Sequence, residues 1–170
     1  MNYFIHSVLS IAILASVACQ TNTSAQQSAT IYSQGQTPPG GKAVTKTDAE
    51  WKAQLTPDQY EVLRKHGTER AGTSPLLKVH EDGTFFCAAC HNPLFVYKAK
   101  FESGTGWPSF YEPVSKNAVK VAKDDSYGME RDEVVCSVCN GHLGHVFNDG
   151  PKPTGLRYCM NGVAMTFAKK

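Results

Sequence analysis

Phe85-Phe86-Cys87-Ala88-Ala89-Cys90-His91-Asn92-Pro93-Leu94 is echoed farther along the chain by Val134-Val135-Cys136-Ser137-Val138-Cys139-Asn140-Gly141-His142-Leu143. Each copy runs from an apolar strand end into Cys-x-x-Cys, then a turn-prone pair, with Leu four places after the second cysteine. It is the one internal repeat of the sequence. A tight turn of this kind aims two thiolates at one point, and two such turns supply the four ligands of a tetrahedral zinc. The pairs are separated by 45 residues, so a sizeable insert lies between the knuckles. Two other readings compete. A redox dithiol normally opens a helix, and here turn residues follow each pair. Disulfides would have to cross-pair, because two intervening residues make a strained loop. Ligand spacing favours one structural zinc, and four thiolates would close the site to catalysis at the metal.

Outward from the knuckles, the chain alternates short apolar runs with Gly, Pro, Asn and Asp. The strands expected are Thr84–Cys87, Ala118–Ala122, Glu133–Cys136, His145–Asn148, Arg157–Asn161 and Ala164–Ala168. Before them, Thr47-Asp48-Ala49-Glu50 and Thr56-Pro57-Asp58-Gln59 have the form of capping boxes, the second with Pro at the first helical position. The second helix would bury Tyr60 and Leu63 and stop at Gly67. The expectation is mainly β (α+β): two short N-terminal helices, then a small antiparallel β architecture.

The chain has 170 residues, 41% hydrophobic and 19% charged, an ordinary composition for one globular domain. Its 17 basic and 15 acidic residues leave a net charge of +2. No Lys/Arg run of the nucleic-acid kind occurs, so no nucleic-acid partner is expected. Residues 1–18 carry no Asp, Glu, Lys or Arg and end in small residues. With about 15 apolar-rich positions the segment is too short to span a bilayer and has the shape of a secretory signal peptide. Ser16-Val17-Ala18-Cys19 resembles a bacterial lipobox, although the n-region lacks Lys or Arg and Ser stands where Leu is commoner. Cleavage by an ordinary signal peptidase, or an unprocessed leader on a cytosolic protein, are the alternatives. Residues 19–45, rich in Gln, Thr, Ser, Gly and Pro, read as a flexible tether to a domain spanning 46–170. Export to the periplasm or cell envelope is expected, with Cys19 as the point of a possible lipid anchor.

Cys159 belongs to neither pair. On a strand, Arg157, Cys159, Asn161 and Val163 would share one face, with Tyr158 and Met160 opposite. A guanidinium two residues away favours the thiolate, which is the nucleophilic form. Asn161 would add a donor where charge develops. A single cysteine is otherwise commonly a small buried hydrophobe.

Lys100-Phe101-Glu102-Ser103-Gly104-Thr105-Gly106-Trp107-Pro108-Ser109-Phe110, Gly141-His142-Leu143-Gly144-His145-Val146-Phe147-Asn148-Asp149-Gly150-Pro151 and Gly155-Leu156-Arg157-Tyr158-Cys159-Met160-Asn161 closely resemble the B-type methionine sulfoxide reductases. The resemblance covers residues 46–168 and implies two small antiparallel sheets forming a barrel-like core. It implies Cys159 as nucleophile, and Cys87, Cys90, Cys136 and Cys139 as ligands of a structural zinc. Trp107 would pack on the sulfoxide methyl group, and His142, His145, Asn161 and Arg157 would line the pocket. The implied substrate is the R epimer of methionine sulfoxide, free or in a polypeptide. A sulfoxide sulfur is electrophilic once its oxygen is protonated or strongly hydrogen-bonded, which calls for an imidazole donor opposite the thiolate. His145 is the candidate donor and His142 the orienting residue; a buried hydrogen-bond network beside the knuckle is the plainer role for either.

The chain departs from the family at three positions. Many members carry a resolving cysteine where Thr105 stands, so Cys159 sulfenic acid would be reduced by an external, thioredoxin-like thiol donor. Tyr127 stands where many have His, and Gly162 replaces the usual Ser. A monomer is expected. The rival classes are a non-catalytic zinc-knuckle binding module and a disulfide-stabilised secreted domain.

Overall fold

The computed structural model describes Met1, residues 41–124 and residues 131–170. The expected leader, Cys19, most of the tether and Tyr127 lie outside the described residues. Both capping boxes form. The Thr47 hydroxyl accepts from Glu50 N–H and Glu50 answers on the Thr47 amide, opening α1 (Asp48–Gln54). Thr56 and Gln59 do the same for α2 (Pro57–Lys65), which buries Tyr60, Val62 and Leu63. The helix ends one residue earlier than Gly67 implies: His66 takes the left-handed conformation, φ 57°. Gly67 serves a close approach instead, its N–H donating to the Glu61 carbonyl at 2.9 Å, where a Cβ would stand 3.0 Å from that oxygen.

Nine strands follow among the described residues: β1 (Gly83–Cys87), β2 (Pro93–Val96), β3 (Lys100–Phe101), β4 (Ser109–Phe110), β5 (Val119–Asp124), β6 (Arg131–Cys136), β7 (His142–Phe147), β8 (Arg157–Met160) and β9 (Met165–Lys169). They form two antiparallel sheets, ordered β2-β1-β9 and β3-β4-β8-β7-β6-β5. The sequence expectation omits β2, β3 and β4. β2 starts at Pro93, a residue that reads as turn and is tolerated at a strand's first position. β3 and β4 have two residues each, below the length at which alternation is visible. β8 also stops at Met160, one residue short of the expected end.

The sheets pack through aromatic rings. Phe110 of the larger sheet stacks on Phe95 of the smaller, centroids 4.4 Å apart, and meets the Phe85 edge at 4.9 Å. Tyr158 reaches Phe95 at 5.8 Å. All four rings are buried and belong to one core with Leu94, Val134, Leu143 and Met160. Offset and edge-on ring pairs of this kind add to the area they bury.

The hairpins place the repeat. β1 and β2 are joined by the first knuckle, β6 and β7 by the second, so each sheet contributes one Cys-x-x-Cys turn. The N-terminal segment packs over both. Gln54 donates to the Ala89 carbonyl at 2.6 Å, Arg64 to the Cys139 carbonyl at 3.0 Å, and Val44 N–H to Val138 O at 2.9 Å.

Candidate active site and zinc centre

The two knuckles have the same geometry. Cys87 N–H donates to Asn92 O and His91 N–H to Cys87 O, each at 2.9 Å. In the second copy Cys136 N–H donates to Gly141 O and Asn140 N–H to Cys136 O, again at 2.9 Å. The residue after each second cysteine is left-handed, His91 at φ 59° and Asn140 at 54°, and this turns the chain back under its own sulfurs. All four Sγ atoms lie within 4.8 Å of one another. The contacts between knuckles are 3.7 Å for Cys87 and Cys139 and 3.5 Å for Cys90 and Cys136. A disulfide needs about 2.0 Å. A tetrahedron with zinc–sulfur distances of ~2.3 Å has edges of ~3.8 Å. The donor set fits zinc, and its place between the sheets makes it a structural staple.

The four sulfurs cannot all ionise without a cation among them. Hydrogen bonding to Cys136 and the crowding of like sulfurs push the Cys87 and Cys90 thiols up. Cys136 is pulled far down by the hydrogen bonds it receives from Cys139, Cys87 and Cys90. Asn92, buried, donates to Ala118 O at 2.9 Å and reaches Cys136 Sγ at 3.6 Å, a support that orients a metal ligand.

The register of the larger sheet builds the second site. Ser109 pairs with Cys159, Cys159 with His145, and His145 with Glu133. Directly opposed residues point to the same face, so hydroxyl, thiol, imidazole and carboxylate stand in one transverse row. Arg157 and His142 join that face, whereas Tyr158 and Met160 are buried on the other. The alternation expected for Arg157 and Cys159 is therefore observed. Gly144 makes the approach possible: a Cβ there would meet the Cys159 carbonyl at 2.1 Å, and the register shift between Val134 and Val135 accommodates the extra residue of β7.

Each polar group on the face is anchored. His145 Nε2 is 2.8 Å from Asp124 Oδ2, which also accepts from Arg131. His142 is 2% exposed, its Nδ1 2.6 Å from Glu133 Oε1, and its Nε2 is buried without a hydrogen-bond partner. Burial holds His142 below the usual histidine value, against the opposite pull of Glu133. The same Glu133 oxygen meets His66 Nδ1 at 2.7 Å. Arg157 grips Asp149 with two bonds of 2.8 Å and lies over the Phe147 ring at 4.4 Å. That pairing raises Arg157, with a smaller contribution from the nearby Cys159. Asp149 is thus the counterion of Arg157.

Trp107 stands half-buried on the loop from β3 to β4, whose Thr105 Oγ1 lies 3.7 Å from Cys159 Sγ. Its indole N–H donates to the Glu69 carbonyl at 3.1 Å. Asn161 falls beyond the end of β8 and does not offer a free amide. Its Nδ2 donates to Leu143 O at 3.1 Å and its Oδ1 accepts from Glu69 N–H at 2.9 Å. The Glu69 carboxylate accepts the N–H groups of Gly162, at 2.5 Å, and Val163, at 2.9 Å. Gly162 has a steric reason here: a Cβ would fall 1.8 Å from Ser74 Oγ. Glu69, Asp124, Glu133, Ser103 and Ser109 are the site residues that sequence reading missed, whereas Thr105 entered it only as the place of an absent resolving cysteine. Only register and loop closure bring them to Cys159.

A lone thiol among fixed cationic, imidazole and hydroxyl groups, outside a closed zinc site, is the arrangement of a cysteine-based enzyme. The SelR domain model matches residues 55–169. The chain is 57% identical over 127 residues to the "Peptide methionine sulfoxide reductase MsrB" of Leptospira interrogans serogroup Icterohaemorrhagiae serovar Lai, covering 75% of this chain and 97% of that protein. It is 56% identical over 124 residues to the protein of the same name in Agrobacterium fabrum, covering 73% and 92%. Against that of Methanosarcina barkeri it is 56% identical over 126 residues, covering 74% and 89%. The chain belongs to the SelR domain family.

Proposed function

We propose that this protein reduces the R epimer of methionine sulfoxide, in polypeptides or free, to methionine, with Cys159 as nucleophile. The observation that carries the reading is the opposition of Cys159 and His145 across β7 and β8 on a polar sheet face. The Cys159 thiolate attacks the sulfoxide sulfur. A sulfur–sulfur bond forms as the sulfoxide oxygen takes up a proton; the hydroxyl then passes to the Cys159 sulfur while the sulfur–oxygen and sulfur–sulfur bonds to the methionine sulfur break, leaving methionine and a Cys159 sulfenic acid. His145, held through Nε2 by Asp124, supplies that proton from its other nitrogen. His142, braced by Glu133, orients the substrate, and Arg157 supports the thiolate. Trp107 receives the methyl group. Asn161 acts as a positioning residue, pinning the Glu69 segment that holds the indole. A non-catalytic zinc module would leave this anchored face without a purpose.

The other described cysteines belong to the zinc site, so an external dithiol of thioredoxin-like chemistry returns the sulfenic acid to the thiol, releasing water. We further propose that the protein works as an exported monomer in the periplasm or cell envelope, its leader removed before a lipid-bearing Cys19. The apolar leader and lipobox-like Ser16-Val17-Ala18-Cys19 support this. No helix of the described residues is long and apolar enough to cross a membrane.

The test is reduction of the two separated sulfoxide epimers of one peptide. The expected result is turnover of the R epimer alone, abolished in Cys159→Ser; equal use of both epimers, or an active Cys159→Ser, refutes the proposal.

A further inference from the structure

Three hydroxyls form a chain that ends on the reacting sulfur. Ser109 Oγ is 2.7 Å from Ser103 Oγ, which is 2.8 Å from Thr105 Oγ1, which is 3.7 Å from Cys159 Sγ. At the far end Ser109 can donate to the Trp107 carbonyl at 3.1 Å. The loop makes the chain possible. Gly104 and Gly106 both have positive φ, 73° and 91°, which folds Ser103 and Thr105 onto the same side, while β4–β8 pairing holds Ser109 beside Cys159. Ser109 is 1% exposed, and a buried hydroxyl requires a partner.

We propose that Thr105 is a positioning residue for the Cys159 thiolate, its hydroxyl donating to the sulfur at the end of a hydrogen-bond chain whose direction reverses on ionisation. Each hydroxyl has one proton to donate and can accept from its neighbour. With the thiol, S–H donates to Thr105, Thr105 to Ser103, Ser103 to Ser109, and Ser109 to Trp107 O. With the thiolate, Ser109 donates to Ser103, Ser103 to Thr105, and Thr105 to sulfur. The reversal rotates three C–O bonds and moves no proton along the chain; the thiol proton leaves to water. Hydrogen bonds in series polarise one another, and a bond to an ionised acceptor shortens and strengthens. The 3.7 Å contact therefore tightens in the reactive form. Arg157 alone does less than its charge implies, because Asp149 holds it in a two-bond ion pair.

The inference rests on Cys159 being the reacting thiol. Its test reads that thiol directly, so its failure is distinguishable from absence of sulfoxide reduction. The measurement is the rate of Cys159 alkylation by iodoacetamide across pH, in zinc-loaded protein, for wild type, Thr105→Val, Thr105→Ser and Ser103→Ala. The other charged and titratable groups of this face, Arg157 with Asp149, His145 with Asp124 and Arg131, and His142 with Glu133 and His66, are unchanged in every variant. Thr105→Val should alkylate about tenfold more slowly near neutrality and converge on wild type at high pH. Thr105→Ser should restore the rate, and Ser103→Ala should shift it part-way in the same direction. Equal rates for Thr105→Val and wild type overturn the inference. So does a slowing independent of pH, or one that Thr105→Ser shares, since either reports packing. If Thr105→Val does not fold, Ser103→Ala decides by the same pH criterion.

Discussion

Cys87 and Cys139 bring their sulfurs to 3.7 Å although one ends a strand of the three-stranded sheet and the other lies in a hairpin of the six-stranded sheet. The zinc they share with Cys90 and Cys136 ties the two halves of the fold across the aromatic core. The binding free energy of such a site is folding free energy, on the order of 10 kcal/mol in small zinc domains. The chain should carry one zinc, and Cys139→Ala should lose it together with more than ~10 °C of melting temperature. Metal analysis beside a thermal melt checks this; a metal-free chain of unchanged stability contradicts it.

Glu69 should govern Trp107 without touching the reacting atoms. Its carboxylate fixes the Gly162 and Val163 amides, and its carbonyl holds the indole. Glu69→Ala should cost about 2 kcal/mol in urea unfolding, the range for a hydrogen-bonded charge. It should raise KM more than it lowers kcat, and Glu69→Gln, keeping one acceptor, should recover part of both. An unchanged KM would leave Trp107 held by other means.

The legible parts of this protein are the local ones. Both capping boxes and both knuckles are read correctly because each is complete within about five consecutive residues. Cys159 stands out because the pairs leave it over, and its face shared with Arg157 follows from strand alternation. What neighbours Cys159 across the sheet depends on register, and a bulge between Val134 and Val135 sets that register. Hence Ser109, Glu133 and Asp124 could not be placed from sequence. Asn161 and Val163 are assigned to the strand face because alternation is continued past Met160, where the strand ends and a 3-10 turn over Gly162–Ala164 follows. The chain turns at Met160, where the Asn161 side chain and N–H both bond to Leu143 O. Gly162, unexplained by sequence, is explained by Ser74.

His142 should make the fold acid-sensitive. Burial lowers its folded-state value below the ordinary 6.5, so the unfolded chain takes up the proton first. This stabilising contribution is fully present above 6.5 and is lost as pH falls through the folded-state value. With zinc in excess, the urea midpoint of the wild type should fall between about pH 7.5 and about pH 5.5. His142→Gln should show a smaller fall; an equal one would assign the sensitivity to other groups.

Thr105 occupies a place from which a thiol could reach Cys159. Its Oγ1 is 3.7 Å from Cys159 Sγ, a gap that a small loop movement closes to disulfide length. After one turnover, Thr105→Cys should accumulate a disulfide between the introduced thiol and Cys159, seen by mass spectrometry of the linked peptides. The wild type should show none. A wild-type disulfide from Cys159 to any other cysteine would contradict reduction by an external donor.

The central claim is that Cys159 takes the oxygen. Mixing the zinc-loaded protein with excess R sulfoxide peptide and no reductant, then trapping with dimedone, tests it most directly. The account expects about one equivalent of methionine peptide per chain and a dimedone adduct on Cys159 alone. Methionine formed without that adduct, or an adduct on one of the four zinc cysteines, would contradict it.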